Sequence, residues 1–142
     1  MLMPDVNILV GAYRTDAEHH AVLLEWLEAA VNGPETLGVS DAVLEGFVRI
    51  VTHSRVFTEP TPIATALEQA DALRAASGVL RVAPGERHWP IFADLCRRGS
   101  AHGNLVADAA HAATAIEAGA TWISLDRDFA RFPGLRWSSP LD

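Results

Sequence analysis

Short β-type apolar segments alternate with helix-length patterned ones along this chain. Leu2–Val6, Thr36–Val39, Val79–Ala83, Thr121–Leu125 and Leu135–Ser138 read as strands. Between them, Asn7–Tyr13 reads as a short helix. Asp16–Asn32 carries Val22, Leu23, Trp26, Leu27, Ala30 and Val31 in one helical stripe, stopped by Gly33-Pro34. Ser40 is placed to cap a helix over Asp41–Thr52. Thr61-Pro62 reads as a cap with proline in the first turn of a helix reaching Ser77, with Ile63, Leu67, Ala70 and Leu73 on its apolar face. Trp89–Arg98 and Leu105–Gly119 are helical, the latter capped by Asn104 and stopped by Gly119, and Phe129–Phe132 is one helical turn. Alternation of this kind predicts an α/β fold: a three-layer sandwich of one domain over residues 1–142, with a central, mostly parallel sheet of four to five strands flanked by helices.

An apolar fraction of 49 % supplies a core. The lone cysteine, Cys96, excludes a disulfide framework and a cysteine-based zinc site. No apolar run approaches the ~18–20 residues of a membrane helix. The N-terminus has no basic leader and an acid at position 5, unlike a signal peptide, so a cytoplasmic location with no membrane role is expected. Net charge is -7 and every basic residue is arginine. That balance counts against a passive RNA-binding module, whose affinity comes from neutralising phosphates. It counts less against a metal nuclease, where bound cations invert the charge of an acidic site.

The carboxylates fall where a sheet edge gathers them. In open α/β sheets, ligands collect at the carboxyl ends of strands. Asp5 ends the first strand, and Asp126 and Asp128 follow the fourth, on one side if that segment stays extended. Asp108 shares a helix face with Leu105 and Ala112, and Glu45 sits in the apolar helix VLEGFVRIV. A charged acid bordering a core is costly unless paired or bound to a metal. Each acid also has an ordinary reading. Asp128 can cap the turn at Phe129, Asp41 can support its helix N-terminus, and Glu45 can pair with Arg49 at i+4.

Four stretches carry a resemblance: PDVNILVGAYR, LEGFVRIVTHSRVF, HGNLVADAAHAATAIEAGA and SLDRDFARFPGLRWSSPL. Together they make the chain resemble, over nearly its whole length, the PIN-domain nucleases and, within them, the VapC toxins of toxin–antitoxin pairs. The resemblance implies that Asp5, Glu45, Asp108 and Asp126 form an acidic quartet, joined by Asp128. It implies supporting roles for Asn7 beside Asp5, Ser124 near the metal, and Asn104 bracing the helix of Asp108. It further implies a Mg²⁺- or Mn²⁺-dependent endoribonuclease, a VapB-like antitoxin as partner, and a homodimer. Oxygen-only ligands suit such hard, octahedral ions. Water as nucleophile would leave a 5′-phosphate. The competing readings are a PIN-like module that binds RNA or protein without cleaving, and a phosphatase or DNA nuclease using the same acids.

Among other residues, His111 stands at i+3 from Asp108 and can approach the site. No HxH or HExxH motif and no glycine-rich phosphate loop occurs. Arg127, between two acids, can balance their charge, and Trp89, next to Pro90, is the best candidate for an exposed stacking platform.

Overall fold

β1 (Leu2–Pro4) is the central strand of a five-stranded parallel sheet of order β3-β2-β1-β4-β5. The computed structural model describes every residue from Met1 to Asp142. Along the chain follow α1 (Val6–Tyr13), α2 (His20–Asn32), β2 (Leu37–Val39), α3 (Asp41–Val51), α4 (Ile63–Ala75), β3 (Val79–Arg81), α5 (His88–Arg98), α6 (Asn104–Glu117), β4 (Thr121–Ile123), a 3₁₀ turn (Arg127–Arg131) and β5 (Arg136–Ser138). Six α-helices thus flank the parallel sheet, the α/β architecture expected from the alternation of segments.

The strand order positions the site. The chain moves outward from β1 to β2 and β3, then returns across the sheet to place β4 on the other side of β1. The direction of winding therefore switches between β1 and β4, where open α/β sheets form a crevice at the strand carboxyl ends. Pro4 pairs with Ile123, so these strands end level. Asp5 N–H donates to Ile123 O at 2.8 Å, which brings the residues after both strands together.

The core is aliphatic and aromatic. Met3, Leu37, Val39 and Trp122 fill it from the strands, and Ile8, Leu9, Leu23, Phe47 and Ala112 from the helices. Burial of such side chains contributes about 1.5–3 kcal/mol each for the larger ones. α1 meets α2 at Gly11, where a Cβ would press on the end of the buried Leu23 side chain and force it to shift. Gly119, with φ +67°, ends α6 in the left-handed conformation that glycine adopts without strain.

Several boundaries differ from the sequence reading. β1 stops at Pro4, because Asp5 already caps α1 with its side chain. α2 begins at His20, since Arg14 pairs with Asp16 and His19 has φ +62°, which interrupts a helix. Pro62 is the cap of α4 and Ile63 its first residue. Thr61 makes no cap and instead accepts from Arg14 Nη1 at 3.1 Å. The buried stripe of α4 is Ala66, Ala70 and Leu73, leaving Ile63 and Leu67 exposed. Asn104 does not cap α6. It is the first helical residue, after Gly103 in a positive-φ conformation. No helix is long and apolar enough to cross a membrane.

Candidate active site

Asp5 is set by three local facts. It ends a buried strand, begins a helix, and is itself buried at 8 % exposure. One carboxylate oxygen, Oδ1, accepts from Val6 N at 2.6 Å, and Oδ2 accepts from Ser124 Oγ at 2.6 Å. Ser124, fully buried after β4, is the hub of this edge. Besides donating to Asp5, its hydroxyl accepts from Asn7 Nδ2 at 3.1 Å and from Asp126 N at 3.0 Å. Asn7 Oδ1 accepts from Leu125 N at 3.2 Å. Asn7 thus bears on Asp5 through Ser124.

Asp5, Asp108 and Asp126 line one open cavity of about 610 Å³ at the β1–β4 switch, together with Asn7, Asn104 and His111. Burial pushes the Asp5 carboxyl above its ordinary range, Ser124 and Val6 oppose that rise, and the Asp126 charge adds to it. Burial likewise raises Asp108, reinforced by the charges of Asp5, Asp126 and Asp128. No arginine pairs with Asp5, Asp108 or Asp126. Carboxylates that raise one another in this way lack a compensating cation.

His111 lies one turn along α6 from Asp108, its ring 5.4 Å from that of Trp122 and nearly parallel to it. Burial lowers its pKa, more than Asp108 raises it. Trp122 Nε1, beneath it in the core, has no hydrogen-bond partner.

The remaining acids sit further out. Glu45 is exposed rather than bordering the core, and lines an adjoining hollow with Val6, Arg49, His88, Ala107 and His111. It makes no ion pair with Arg49. The segment 126–128 is not extended, so alternation does not align its acids. Asp126 Oδ1 accepts from Asp128 N at 2.8 Å and caps the 3₁₀ turn, the role the sequence had offered to Asp128. Asp128 is exposed, 3.9 Å from Arg131, yet close enough for its charge to act on Asp108. Arg127 does not balance Asp126 and Asp128. It pairs with Asp142 at 2.7 Å and lies over Trp137. Trp89 is 70 % exposed, as expected of a platform. Glu18 and Arg49 also line the acidic cavity. Sequence reasoning missed Glu18, because an exposed loop acid carries no periodic signal, and it treated Arg49 only as one surface cation among several.

The donor set is suited to a hard cation. It is oxygen-only, negatively charged and unpaired. No three His, Cys, Asp or Glu side chains converge closely enough to cage an ion. That excludes a zinc-type site built wholly from protein ligands. Mg²⁺ takes one or two carboxylates and keeps several waters, so it fits what is present.

A family model for the PIN domain matches residues 2–135. The chain is 52 % identical to the VapC ribonuclease Mb2897 of Mycobacterium bovis over 142 residues, covering 100 % of this chain and 97 % of that protein. It is 41 % identical to ribonuclease VapC37 of Mycobacterium tuberculosis over 141 residues, covering 99 % and 97 %. Among solved structures, the fold is similar to VapBC2 from Rickettsia felis, bound to a promoter DNA fragment, with a TM-score of 0.72, 20 % identity and 97 % of each chain covered.

Proposed function

The chain belongs to the PIN-domain family, and from that membership we propose that it is a Mg²⁺- or Mn²⁺-dependent endoribonuclease, the toxin of a VapBC-type toxin–antitoxin pair, acting on RNA in the cytoplasm. The observation that carries this reading is the meeting of Asp5, Asp108 and Asp126 in one cavity with no arginine paired to any of them. Relatives named as VapC ribonucleases support RNA as the substrate, and similarly folded proteins in VapBC and toxin–antitoxin complexes support an antitoxin as the partner.

In this reading Asp5 and Asp108 would hold the ion directly, Asp126 would act through its waters, and Glu45 and Asp128 would act from the rim. When bound, a divalent ion would make its bound water more acidic than bulk water and draw charge from a phosphate oxygen, favouring hydrolysis of the phosphodiester. The protein's part is positional. Ser124 and Val6 N–H hold both oxygens of Asp5, so one orientation of that carboxylate is retained. Asn7 fixes the Ser124 hydroxyl, and through it the strand end carrying Asp126. The stack on Trp122 fixes the His111 ring one turn along α6 from Asp108.

The test uses the chain purified free of antitoxin, mixed with structured RNA and with single-stranded DNA, in Mg²⁺, in Mn²⁺ and in EDTA, alongside Asp5→Ala. The expected result is metal-dependent cleavage of RNA only, leaving 5′-phosphate ends and absent in the variant. Cleavage that persists in EDTA or in Asp5→Ala overturns the metal–carboxylate reading. Cyclic phosphate ends overturn the water nucleophile. Binding of RNA without cleavage favours the non-cleaving module.

A further inference from the structure

Seven of the eleven arginines are committed to partners within the fold. Arg14 pairs with Asp16, Arg74 with Asp41, Arg98 with Asp94, Arg127 with Asp142 and Arg131 with Asp128. Arg87 and Arg136 donate to the carbonyls of Glu117 and Gly119. Arg49 is free of any such contact, and it is the one arginine on the wall of the acidic cavity. It also lines the adjoining hollow of about 510 Å³ that holds Glu45 and His88.

The two depressions share Val6, Arg49, Ala107 and His111, so they form one continuous channel with Arg49 at the divide. Arg49 stands in the last turn of α3, where the helix dipole favours a cation. Glu45, one turn earlier, does not claim it. Ala42, Gly46, Ala107 and Ala110 keep part of the hollow's wall small, Glu45, His88 and Thr114 make it polar elsewhere, and there is room for a sugar and base. His88 closes it, its Nε2 held at 3.1 Å from Ala110 O and its ring stacked on Phe92. A free guanidinium between an acidic cavity and a hollow of small and polar side chains matches one ligand pattern: an anionic link joining two nucleoside units. Arginine grips phosphate by two parallel hydrogen bonds, which lysine does not reproduce.

Building on the nuclease reading, we propose that Arg49 grips the phosphate next to the scissile one in a single RNA strand, and that the nucleotide beyond it lodges in the His88 hollow. Arg49 is then a substrate-binding residue that sets the direction of the strand across the acids.

The test combines steady-state cleavage in Mg²⁺ with equilibrium binding of a fluorescein-labelled single-stranded oligoribonucleotide in Ca²⁺, over a series of KCl concentrations. Arg49→Ala should raise KM and Kd by about 10- to 100-fold, with kcat kept within about threefold. The slope of log Kd against log salt should fall by about one. Arg49→Lys should restore the slope but only part of the affinity, and Arg74→Ala, whose arginine is committed to Asp41, should behave as wild type. Unchanged KM and salt slope in Arg49→Ala overturn the proposal. So does a loss confined to kcat, or one that matches a fall in thermal midpoint, or a loss seen only in affinity for a protein partner. If the wild type binds RNA but cleaves none, the nuclease reading fails while the salt slope still judges Arg49. If it binds no RNA, both fail.

Discussion

The hydroxyl of Ser124 donates to Asp5 Oδ2 across 2.6 Å, joining the ends of two neighbouring strands that lie 119 residues apart in sequence. It also accepts from Asn7 and from the Asp126 backbone, so one buried oxygen connects four residues of the site.

Ser124→Ala removes that hub. The Asn7 amide and Asp126 N–H lose their acceptor in a place closed to water, which costs about 1–3 kcal/mol of stability. Urea denaturation at neutral pH measures this. The same hydrogen bond lowers the Asp5 pKa, so its loss raises that pKa further. The acid limb of the activity profile should move to higher pH in the variant. A limb that stays in place means Asp5 does not set it.

Asn7→Ala leaves the carboxylates intact but frees the Ser124 hydroxyl to rotate. Loss of such an outer partner weakens metal binding or activity by about 10–100-fold in characterised sites. Titration of Mn²⁺ against the wild type and variant checks the size and separates it from a folding defect.

Asp5 and Asp108 bind protons more tightly folded than unfolded, because burial and mutual charge raise both. Their contribution to stability is complete below the ordinary carboxylate range and is lost as pH rises through the raised folded values. The metal-free protein should therefore lose stability from these groups on going from acid to neutral pH. Mg²⁺ or Mn²⁺ should stabilise the fold by roughly 2.7 kcal/mol at about a hundredfold excess over Kd, seen as a higher thermal midpoint at neutral pH and a much smaller shift in acid. Asp108→Asn should raise the metal-free midpoint at neutral pH and remove most of the metal's effect. A wild-type midpoint indifferent to metal at neutral pH counts against the site.

Glu117 behaves in the opposite sense. Its carboxylate accepts from Gly85 N at 2.6 Å and Arg87 N at 2.9 Å, tying down the loop that leads to His88. The Gly85 bond above all lowers its pKa. Its stabilising effect is present above the ordinary glutamate value and lost as pH falls through the lowered folded one. Glu117→Gln should be less stable than wild type at neutral pH, with the gap closing in acid. Paired melting curves across that range test it.

Much of the fold was legible because a period in sequence maps directly onto a face. The five apolar segments became five parallel strands, and the stripe of α2 buried Leu23, Leu27 and Ala30. Boundaries were less legible, because they depend on competing contacts. Thr61 could not cap α4 once Arg14, distant in sequence, had taken its hydroxyl. On the α4 face Ala70 and Leu73 are buried as read, whereas Ile63 and Leu67 are apolar yet exposed and Ala66 takes their place. Of the acids named beforehand, Asp5, Asp108 and Asp126 share a cavity, whereas Glu45 opens into the next hollow.

The sequence by itself determined the alternation of strand and helix, the absence of sulfur ligands, and the placing of acids just after strands and on helix α6. Those follow from local chemistry and spacing, which a linear pattern records. Only the tertiary structure decided which acids meet, that Ser124 and Asn7 hold Asp5, and that Arg49 stays unpaired beside them. Those outcomes depend on the order of strands in the sheet and on which partners win each charged side chain, and both are settled by contacts between residues far apart along the chain.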